Sequence, residues 1–432
     1  MNILWLLDVK HRYGLRHGAT LRYLHFSRGM VAKGHRVFFV VTNHGEQDVA
    51  GRASFLEQWK NDRVLTDYVE VSSYKHPRWL GKLSWLAFHP RARNAMLSFR
   101  QAEYRNTIQQ LVKRWSTDVC IISERASLFL LPRLNDLIPT IIDWCDSGVL
   151  YAGREIRTLV RSMEIRRVPV EARNLVRALA DETFYSRYSV NLVVSRVDKT
   201  VFDVLNRRPG LNQVISNGVD PPSKAHSDGK DPRRLIISGT MDFPPNYQGA
   251  LWFIENVFPA LLKNRPDLRL VIAGQRPVPA LLAKASERII VTGQVADMGS
   301  EIARSQLFVA PLVSGGGFKN KVVEALANET YVVGTPLAFE FLGEKLRSSL
   351  LLARSATEFV AHIERYLDHP EEFAPRLREA LRMVQEEYVW EIKVGELEDL
   401  CLRVTASRAR SHCKNESRLD HRSVRTDSIR EQ

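Results

Sequence analysis

The stretch Val309-Ala-Pro-Leu-Val-Ser-Gly-Gly-Gly-Phe-Lys-Asn-Lys-Val-Val-Glu-Ala-Leu-Ala327 joins a short apolar strand to a helix through three glycines. Glycines let backbone N–H groups turn toward an anion, and a helix start adds the positive end of its dipole. Lys319 and Lys321 add full positive charges there, and Glu324 can accept a hydrogen bond from a ribose or sugar hydroxyl. The stretch predicts a phosphate-binding turn with partners for both parts of a nucleotide-sugar.

The alternative interpretation is a scaffold turn that binds nothing, and other features of the sequence are needed to distinguish the two.

The chain has 432 residues, 44% of them hydrophobic, which predicts two domains with sizeable cores. Ile3-Leu-Trp-Leu-Leu7 is too short for a secretory leader, and no run approaches the roughly 18 apolar residues of a membrane span. Four scattered cysteines argue against a zinc site or a disulfide framework. We expect a cytoplasmic protein.

The net charge of +13 is concentrated in the first half of the chain. Residues 1–200 hold 31 Lys and Arg against 19 Asp and Glu, whereas residues 201–432 hold 31 against 30. The segment Tyr74–Arg93 mixes basic residues with Trp79, Trp85 and Phe88, a composition typical of surfaces that meet anionic lipid. Nucleic acid would explain the charge equally well, and so would solvated arginines over a buried aromatic core. We expect peripheral contact of the basic first domain with the inner face of the plasma membrane.

The first half alternates apolar strands with helices, which is the pattern of a doubly wound sheet. A helix is predicted from Gly18 to Lys33, and a second, charged one over residues 168–188. The predicted strands are Asn2–Leu7, Arg36–Val41, Val119–Ser123, Thr140–Asp143 and Val190–Val194.

A polar stretch crowded with Pro-Gly, Asn-Gly and Pro-Pro pairs follows, and the alternation then restarts. Predicted strands are Leu235–Ser238, Leu268–Ala273, Ile289–Thr292, Leu307–Ala310 and Tyr331–Val333, with helices near 247–262, 279–285, 297–304 and 319–326 and at 356–368, 371–386 and 389–404. The expected organisation is a first Rossmann-like domain (1–208), a linker (209–233), a second Rossmann-like domain (234–387), a crossing helix (388–404) and a disordered basic tail (405–432).

Four motifs in the second half, in this order, make the chain resemble the retaining GT-B glycosyltransferases of family four. They are Ser216-Asn-Gly-Val-Asp220, the strand and glycine turn of Arg234–Gly249, Leu270-Val-Ile-Ala-Gly274 and Val291-Thr-Gly-Gln-Val295. The glycine stretch at 315–317 follows them. The resemblance implies two Rossmann-like domains facing a central cleft, with C-terminal helices packing back toward the first domain.

The chain departs from the family at several positions. The usual Glu eight residues before Glu324 is Gly316, and Thr240, Met241 and Gln248 stand where the family has Arg and Lys. The Pro-Asn turn and the Asn-Lys-x-x-Glu-Ala motif are similar to a variant branch of the family.

The resemblance implies a donor site in the second domain and an acceptor site in the first. The predicted donor-binding residues are Gly239, Thr240, Asn246, Gly274, Val295, Gly316, Gly317, Phe318, Lys319, Asn320, Lys321 and Glu324. Lys321 and Glu324 are also candidate catalytic residues. On the acceptor side the glycine loop supplies Gly14, Arg16, His17 and Gly18, although an ordinary strand-to-helix turn is the alternative.

Asp146, in the segment Asp143-Trp-Cys-Asp-Ser147 at the end of a predicted strand, is the candidate catalytic residue of the first domain. Capping of the next helix by Asp146 or Ser147 is the alternative. Glu171 and Glu182 are better explained by a solvated helix face. The histidines show no metal-ligand spacing, so we expect no structural metal and no permanently bound cofactor.

The expected function is transfer of a sugar, with retention, from a nucleotide-diphosphate sugar to a lipid-linked or polysaccharide acceptor in cell-surface polysaccharide synthesis. Two alternatives stay open: a nucleotide-sugar epimerase of the same fold, and an inactive relative that binds sugar or nucleic acid. The epimerase would need no basic, aromatic face on its first domain. A nucleic-acid partner is not expected for the transferase.

Overall fold

A computed structural model describes residues 1–7, 18–43, 49–72, 102–123, 125–161, 163–220 and 229–427. The described strands form two separate parallel sheets, one in each half of the chain. The predicted segment Tyr74–Arg93 and the loop residues Gly14, Arg16 and His17 lie outside the described residues.

The first sheet has seven strands in the order β3-β2-β1-β4-β5-β6-β7. Residues alternate between its two faces. Ile3, Trp5 and Leu7 pack into one core while Leu4 and Leu6 pack into the other. A sheet buried on both faces explains why its strands are almost continuously apolar. The strands are β1 (Asn2–Leu7), β2 (Arg36–Asn43), β3 (Asp67–Ser72), β4 (Val119–Ile122), β5 (Thr140–Cys145), β6 (Val190–Val193) and β7 (Asn212–Val214).

Seven described α-helices belong to this first half. The last two of them carry the carboxylates that bond to the turn after β5. The helices are α1 (Gly18–Ala32), α2 (Val49–Asn61), α3 (Ala102–Arg114), α4 (Leu131–Leu137), α5 (Gly148–Arg161), α6 (Val168–Tyr185) and α7 (Arg196–Asn206). Short 3-10 turns occur at Arg125–Leu130, Ile165–Arg167 and Pro209–Leu211.

The second sheet has six parallel strands in the order β10-β9-β8-β11-β12-β13. Its two central strands, β8 and β11, are those on either side of the strand-order reversal, where ligands bind in sheets of this kind. The strands are β8 (Asp231–Ser238), β9 (Arg269–Ala273), β10 (Ile289–Gly293), β11 (Ser305–Ala310), β12 (Tyr331–Gly334) and β13 (Leu351–Leu352).

The helices of the second half cover both faces of this sheet, as a doubly wound fold requires. Where the sequence predicts one helix over 247–262, the structure has two. Pro259 lies in the first turn of the second, and proline cannot continue a helix. The helices are α8 (Pro244–Asn256), α9 (Phe258–Asn264), α10 (Pro279–Leu282), α11 (Met298–Ala303), α12 (Asn320–Ala327), α13 (Pro336–Phe339), α14 (Glu344–Ser348), α15 (Ala356–Asp368), α16 (Pro370–Glu387) and α17 (Trp390–Asp427).

Helix α17 crosses back to the first half of the chain. Trp390, Val394, Leu397 and Cys401, spaced at helical intervals, are buried in the core between the first sheet and α1. The Trp390 ring stacks on His25 of α1 with a centroid distance of 4.4 Å. The predicted arrangement of two Rossmann-like domains with a returning C-terminal helix is therefore confirmed.

Two boundaries differ from the predicted ones. Residues 212–214, assigned to the linker from sequence, form the edge strand β7 of the first sheet, and β8 begins at Asp231. Helix α17 continues to Asp427, where the sequence predicted a disordered tail from residue 405. A continuous helix is possible because the chain has no glycine or proline between residues 396 and 427. Within the described ranges, no helix is both long enough and apolar enough to cross a membrane.

Candidate active site

A cleft of about 560 Å³ opens at the carboxyl ends of the second sheet. The end of β8 and the turn after it line the cleft with Ser238, Gly239 and Thr240. The glycine stretch after β11 lines it with Ser314, Gly315 and Gly316. The other half of the molecule contributes Leu21 of α1, and the crossing helix contributes Trp390. The cleft therefore lies where the two sheets meet, at the edge that binds ligands in open parallel sheets.

The floor of the cleft is formed by two backbone turns in direct contact. Gly274 has a φ of 147°, and a side chain there would put its Cβ 1.7 Å from the carbonyl oxygen of Gly239. Only glycine fits such an approach. The contact keeps the ends of β8 and β9 together and leaves backbone groups, without side chains, at the base of the cleft.

Lys321, in the first turn of α12, is the cation that points across the glycine turn. Its Nζ donates a hydrogen bond to Oδ1 of Asn246, and the Asn246 amide in turn donates to the carbonyl of Thr240, at 2.9 Å. Burial disfavours the ammonium and lowers the pKa of Lys321 to about 8, although nearby Glu324 acts in the opposite direction. A buried ammonium with a depressed pKa gains more than an exposed one when an anion binds beside it.

Lys319 lies at the start of the same helix but serves the loop itself. Its Nζ donates to the carbonyls of Gly316 and Gly317, at 2.9 and 2.6 Å, and lies 3.8 Å from Glu340. Burial lowers the pKa of Lys319, while Glu340 opposes that shift. Lys319 therefore holds the glycine turn in shape, and Lys321 remains the lysine directed at the cleft.

Glu340 also joins the two halves of the molecule. Arg154, on α5 of the first domain, donates a pair of hydrogen bonds to Glu340, at 2.6 and 2.7 Å, and a third to the carbonyl of Gly315, at 3.2 Å. A bidentate arginine–carboxylate pair fixes both distance and orientation. The glycine turn is thus held in part by the opposite domain.

A second polar chain crosses the cleft through the Ser216–Asp220 motif. Arg22 of α1 is fully buried and pairs with Asp143 at 2.8 Å. It also donates to Oδ1 of Asn217, whose amide donates to Asn320 at the start of α12, both at 3.1 Å. The asparagine of the motif therefore connects the first sheet to the phosphate-binding turn.

Asp146 faces the glycine turn from the first domain. A Cβ added at Gly317, whose φ is 67°, would lie 2.9 Å from Oδ2 of Asp146, so the carboxylate packs directly against that backbone. Burial raises the pKa of Asp146, and the positive charges of Arg125 and Lys319 oppose the shift. Ser147, not Asp146, caps helix α5, since its Oγ accepts from the N–H of Leu150 at 3.2 Å.

Two buried carboxylates hold the turn that carries Asp146. Glu182 of α6 accepts from Ser147 Oγ at 2.7 Å and from the N–H of Gly148 at 2.6 Å, while Asp198 of α7 accepts from the N–H of Ser147 at 2.9 Å. Burial raises the pKa of Glu182 to about 7 and that of Asp198 to about 6. The solvated face expected for Glu182 is wrong: its exposed fraction is 0%. Glu171 is half-buried and accepts from Asn174.

The cleft brings together most of the residues predicted for the donor. Val295 and Gly317 do not line it; Gly317 contacts Asp146, and Val295 lies in the loop that leads from β10 to Asp297 at the rim. Gly18 begins α1. The predicted residues that line the cleft are Gly239, Thr240, Asn246, Gly274, Gly316, Phe318, Lys319, Asn320, Lys321 and Glu324.

Several residues of the site were not found from the sequence. Arg154, Glu340 and Arg125 carry no motif. Only the fold brings Arg154 and Glu340 to the glycine turn, and Arg125 to Glu182. The sequence predicted that Trp390 lies on the crossing helix, but it did not predict that Trp390 lines the cleft. No group of three or more His, Cys, Asp or Glu side chains within the described part of the chain is arranged to hold a metal ion.

Residues 232–369, which make up most of the second domain, match the family model of glycosyl transferases group 1. A curated relative from Klebsiella pneumoniae, described as an uncharacterized 44.6 kDa protein in the cps region, is 26% identical over 163 residues. That match covers 36% of this chain, and it spans only 42% of the relative.

Solved structures match nearly the whole molecule at low identity. The Anabaena protein HepE in complex with UDP superposes with a TM-score of 0.64 at 14% identity, covering 93% of this chain and 99% of HepE. Sucrose-phosphate synthase of Thermosynechococcus elongatus gives 0.65 at 14% identity, covering 94% of this chain and 99% of its own. A glycosyltransferase of Rickettsia africae gives 0.60 at 11%, covering 93% and 98%. The fold is GT-B.

Proposed function

We propose that this protein is a glycosyltransferase that takes a sugar from a nucleotide-diphosphate donor held against the second domain. The observation that carries the proposal is the turn from Ser314 to Lys321, where backbone groups, a helix start and a buried lysine meet in one cleft. The group 1 match to residues 232–369 supports it. So do the likeness to HepE, whose structure was solved with UDP and with UDP-glucose, and to further GT-B proteins.

In this proposal Lys321 neutralises the diphosphate and Asn246 orients Lys321. Glu324 accepts a hydrogen bond from a hydroxyl of the donor. The bond between the anomeric carbon and the phosphate oxygen breaks, and the acceptor's hydroxyl oxygen bonds to that carbon. The acceptor's proton passes to the departing phosphate, so no separate base is required. Stabilising the charge that develops on the diphosphate as this bond breaks is the main catalytic contribution, because that charge is larger in the transition state than in the bound donor.

Asp146 faces this reaction from the acceptor side. We place it beside the sugar, where a carboxylate can orient the acceptor hydroxyl or stabilise positive charge at the anomeric carbon. Its fixed position supports this role, because Glu182 and Asp198 hold the turn around it and Gly317 packs against it. Retention of the anomeric configuration is part of the proposal and follows from the family resemblance.

The acceptor we propose is a lipid-linked or polysaccharide glycan used at the cell surface. The relative encoded in a cps region and the strongly basic first half of the chain support that choice. The enzyme would work at the inner face of the plasma membrane.

An inactive binding protein is the second candidate, and Gly316 favours it. The family's glutamate is absent at this position, and Lys319 is occupied by loop carbonyls and Glu340. Such a protein would bind nucleotide-sugar without breaking the bond to phosphate.

Turnover separates the two candidates. We expect slow release of nucleoside diphosphate when the protein is incubated with one of the UDP-, GDP-, dTDP- or ADP-linked sugars. Asp146→Asn should lower that rate about 100-fold with donor affinity little changed, since the group acts on the sugar and not on the nucleotide. The control Asp62→Asn alters an exposed carboxylate on the first domain. Binding without release by the unmodified protein would favour the inactive candidate, and an unchanged rate in Asp146→Asn would remove Asp146 from the mechanism.

A further inference from the structure

The helical hairpin formed by α5 and α6, described over residues 148–161 and 163–185, exposes an unusual number of large apolar side chains. The part of the chain that the structure describes has fifteen such side chains, and six of them belong to this hairpin. Their exposed fractions range from 44% to 80%. Scattered single apolar residues on a surface need no explanation, but a concentration of this kind marks an interaction surface. The six are Val160, Met163, Ile165, Val170, Val176 and Leu179.

Arginines surround these side chains. Between residues 157 and 177 the hairpin has six arginines and two glutamates. All six arginines are exposed, and Arg167 is engaged with Glu164 at 3.1 Å. Apolar groups interleaved with positive charge match an anionic lipid surface, where the apolar groups enter the boundary of the acyl chains and the arginines meet the phosphates.

The tip of the hairpin has a further unusual feature. Helix α5 ends in a Schellman motif: the N–H of Met163 bonds to the carbonyl of Val160, and that of Glu164 to the carbonyl of Leu159. Met163 occupies the left-handed position, with a φ of 60°, where glycine is the usual residue. It is also 80% exposed. The chain thus keeps a large apolar side chain at a strained and highly exposed position, which neither folding nor solubility explains.

The root of the same hairpin lies at the cleft. Helix α5 starts two residues after Asp146, and Arg154 in its second turn contacts the glycine turn. At 1.5 Å per residue, the tip lies about 20 Å from that end. A surface bound at the tip would therefore hold the cleft a fixed and short distance from the headgroups.

We propose that the tip of the α5–α6 hairpin docks on an anionic lipid bilayer, with Met163 and Ile165 inserted and the surrounding arginines on the headgroups. The inference deepens the proposed function and rests on it for its purpose, which is to bring the cleft to a lipid-linked acceptor. The binding itself can be measured without any turnover.

The test is flotation of the full chain with vesicles of phosphatidylcholine mixed with phosphatidylglycerol, compared with phosphatidylcholine alone. We expect binding to the anionic vesicles, weakened at least about tenfold by Met163→Gly with Ile165→Ser, since much of the apolar insertion is lost. Arg161→Glu with Arg166→Glu should weaken it similarly. Leu282→Ser with Arg354→Glu, which changes exposed residues of the second domain, is the matched control and should bind as the unmodified chain does.

Equal vesicle binding by the hairpin variants and the unmodified chain would overturn the proposal. So would a dimer in solution that Met163→Gly dissociates, because the patch would then be an interface between copies. Donor hydrolysis by the same variants separates the docking proposal from the proposed transferase activity. Lost vesicle binding with normal hydrolysis supports docking by the hairpin. Absence of hydrolysis in every protein, with vesicle binding intact, counts against the transferase activity and not against docking.

Discussion

The backbone at the end of β5 shows how single residues position the site. Cys145 has a φ of 60°, a conformation that costs a residue other than glycine about 1 kcal/mol. Its carbonyl accepts from the N–H of Val194 at 2.7 Å, and its own N–H donates to Asp143 at 3.3 Å. The bend turns the chain so that Asp146 leaves the sheet toward Gly317. Local strain of this kind is maintained by surrounding bonds and is common at functional sites.

Glu182 gives a stability prediction at the same scale. Burial holds its folded-state pKa at about 7, above the ordinary glutamate value of 4.5. Between these pH values the folded protein keeps a proton that the unfolded chain has lost, so Glu182 stabilises the fold at low pH and this stabilisation is lost as pH rises toward 7. Glu182→Gln removes that dependence. The variant's free energy of unfolding, relative to the unmodified protein, should therefore rise by about 2–3 kcal/mol between about pH 5 and about pH 8.

Urea unfolding at the two pH values measures this difference. Glu287→Gln, an exposed carboxylate of the second domain, is the matched control. Parallel pH dependences for Glu182→Gln and the unmodified protein would mean that Glu182 is ionised and compensated in the fold.

The contacts of individual side chains were the feature least predictable from the sequence. The stretch 309–327 predicted a role for Lys321 at the glycine turn, because a lysine one residue into a helix after glycines points toward its start, and the structure places Lys321 in the lining of the cleft. It did not show that Lys319 would bond to loop carbonyls, or that Glu182 would reach a turn 35 residues earlier. Both depend on tertiary contacts that have no spacing signal in the chain.

At the scale of elements, Met163→Gly at the tip of the α5–α6 hairpin should stabilise the fold, although the same change should weaken lipid binding. Met163→Gly places the residue that the left-handed position favours in the Schellman motif. After allowing for the greater freedom of glycine in the unfolded chain, we expect the free energy of unfolding to rise by about 0.5 kcal/mol. Thermal or urea unfolding measures it. A clear loss of stability would show that Met163 packs against the protein and is not available to another surface.

Most elements were predictable because both sheets are buried on two faces and their strands are apolar. Strand β3 was missed because Asp67-Tyr-Val-Glu-Val-Ser72 places acidic residues in an edge strand, where one side meets solvent. Helix α2 was missed as well, since its apolar residues form no clear stripe. Strand β13 has two residues and carries no pattern at all.

At the scale of the whole molecule, the pair Arg154–Glu340 is the interaction that most directly couples the two domains at the glycine turn. A double-mutant cycle with Arg154→Ala and Glu340→Ala should give a coupling energy of about 1–2 kcal/mol, because the pair is bidentate and mostly buried. Each single change should also lower the rate of donor hydrolysis. Because we expect the pair to restrain domain opening, small-angle scattering should show that the variants are more expanded in solution than the unmodified protein. Additive effects on stability would mean that the two side chains act separately.

The overall architecture followed from the sequence in outline. Two rounds of strand and helix separated by a turn-rich stretch predicted two domains, and the order of four motifs predicted their relation. What could not be predicted is the contact between the domains. It depends on Arg154, Asn217 and Asp146 meeting partners more than a hundred residues away.

The central claim is that the turn from Ser314 to Lys321 binds the diphosphate of a nucleotide. The most direct measurement is calorimetric titration with UDP, GDP, dTDP and ADP. We predict selective binding of one of them, weakened about 30-fold in Lys321→Met and unaffected in Lys345→Met, an exposed lysine of the same domain. Because the pKa of Lys321 is about 8, the dissociation constant should rise up to about tenfold per pH unit above that value, and Lys321→Arg should abolish the rise. Equal affinity in Lys321→Met, or no binding of any nucleotide, would contradict the account.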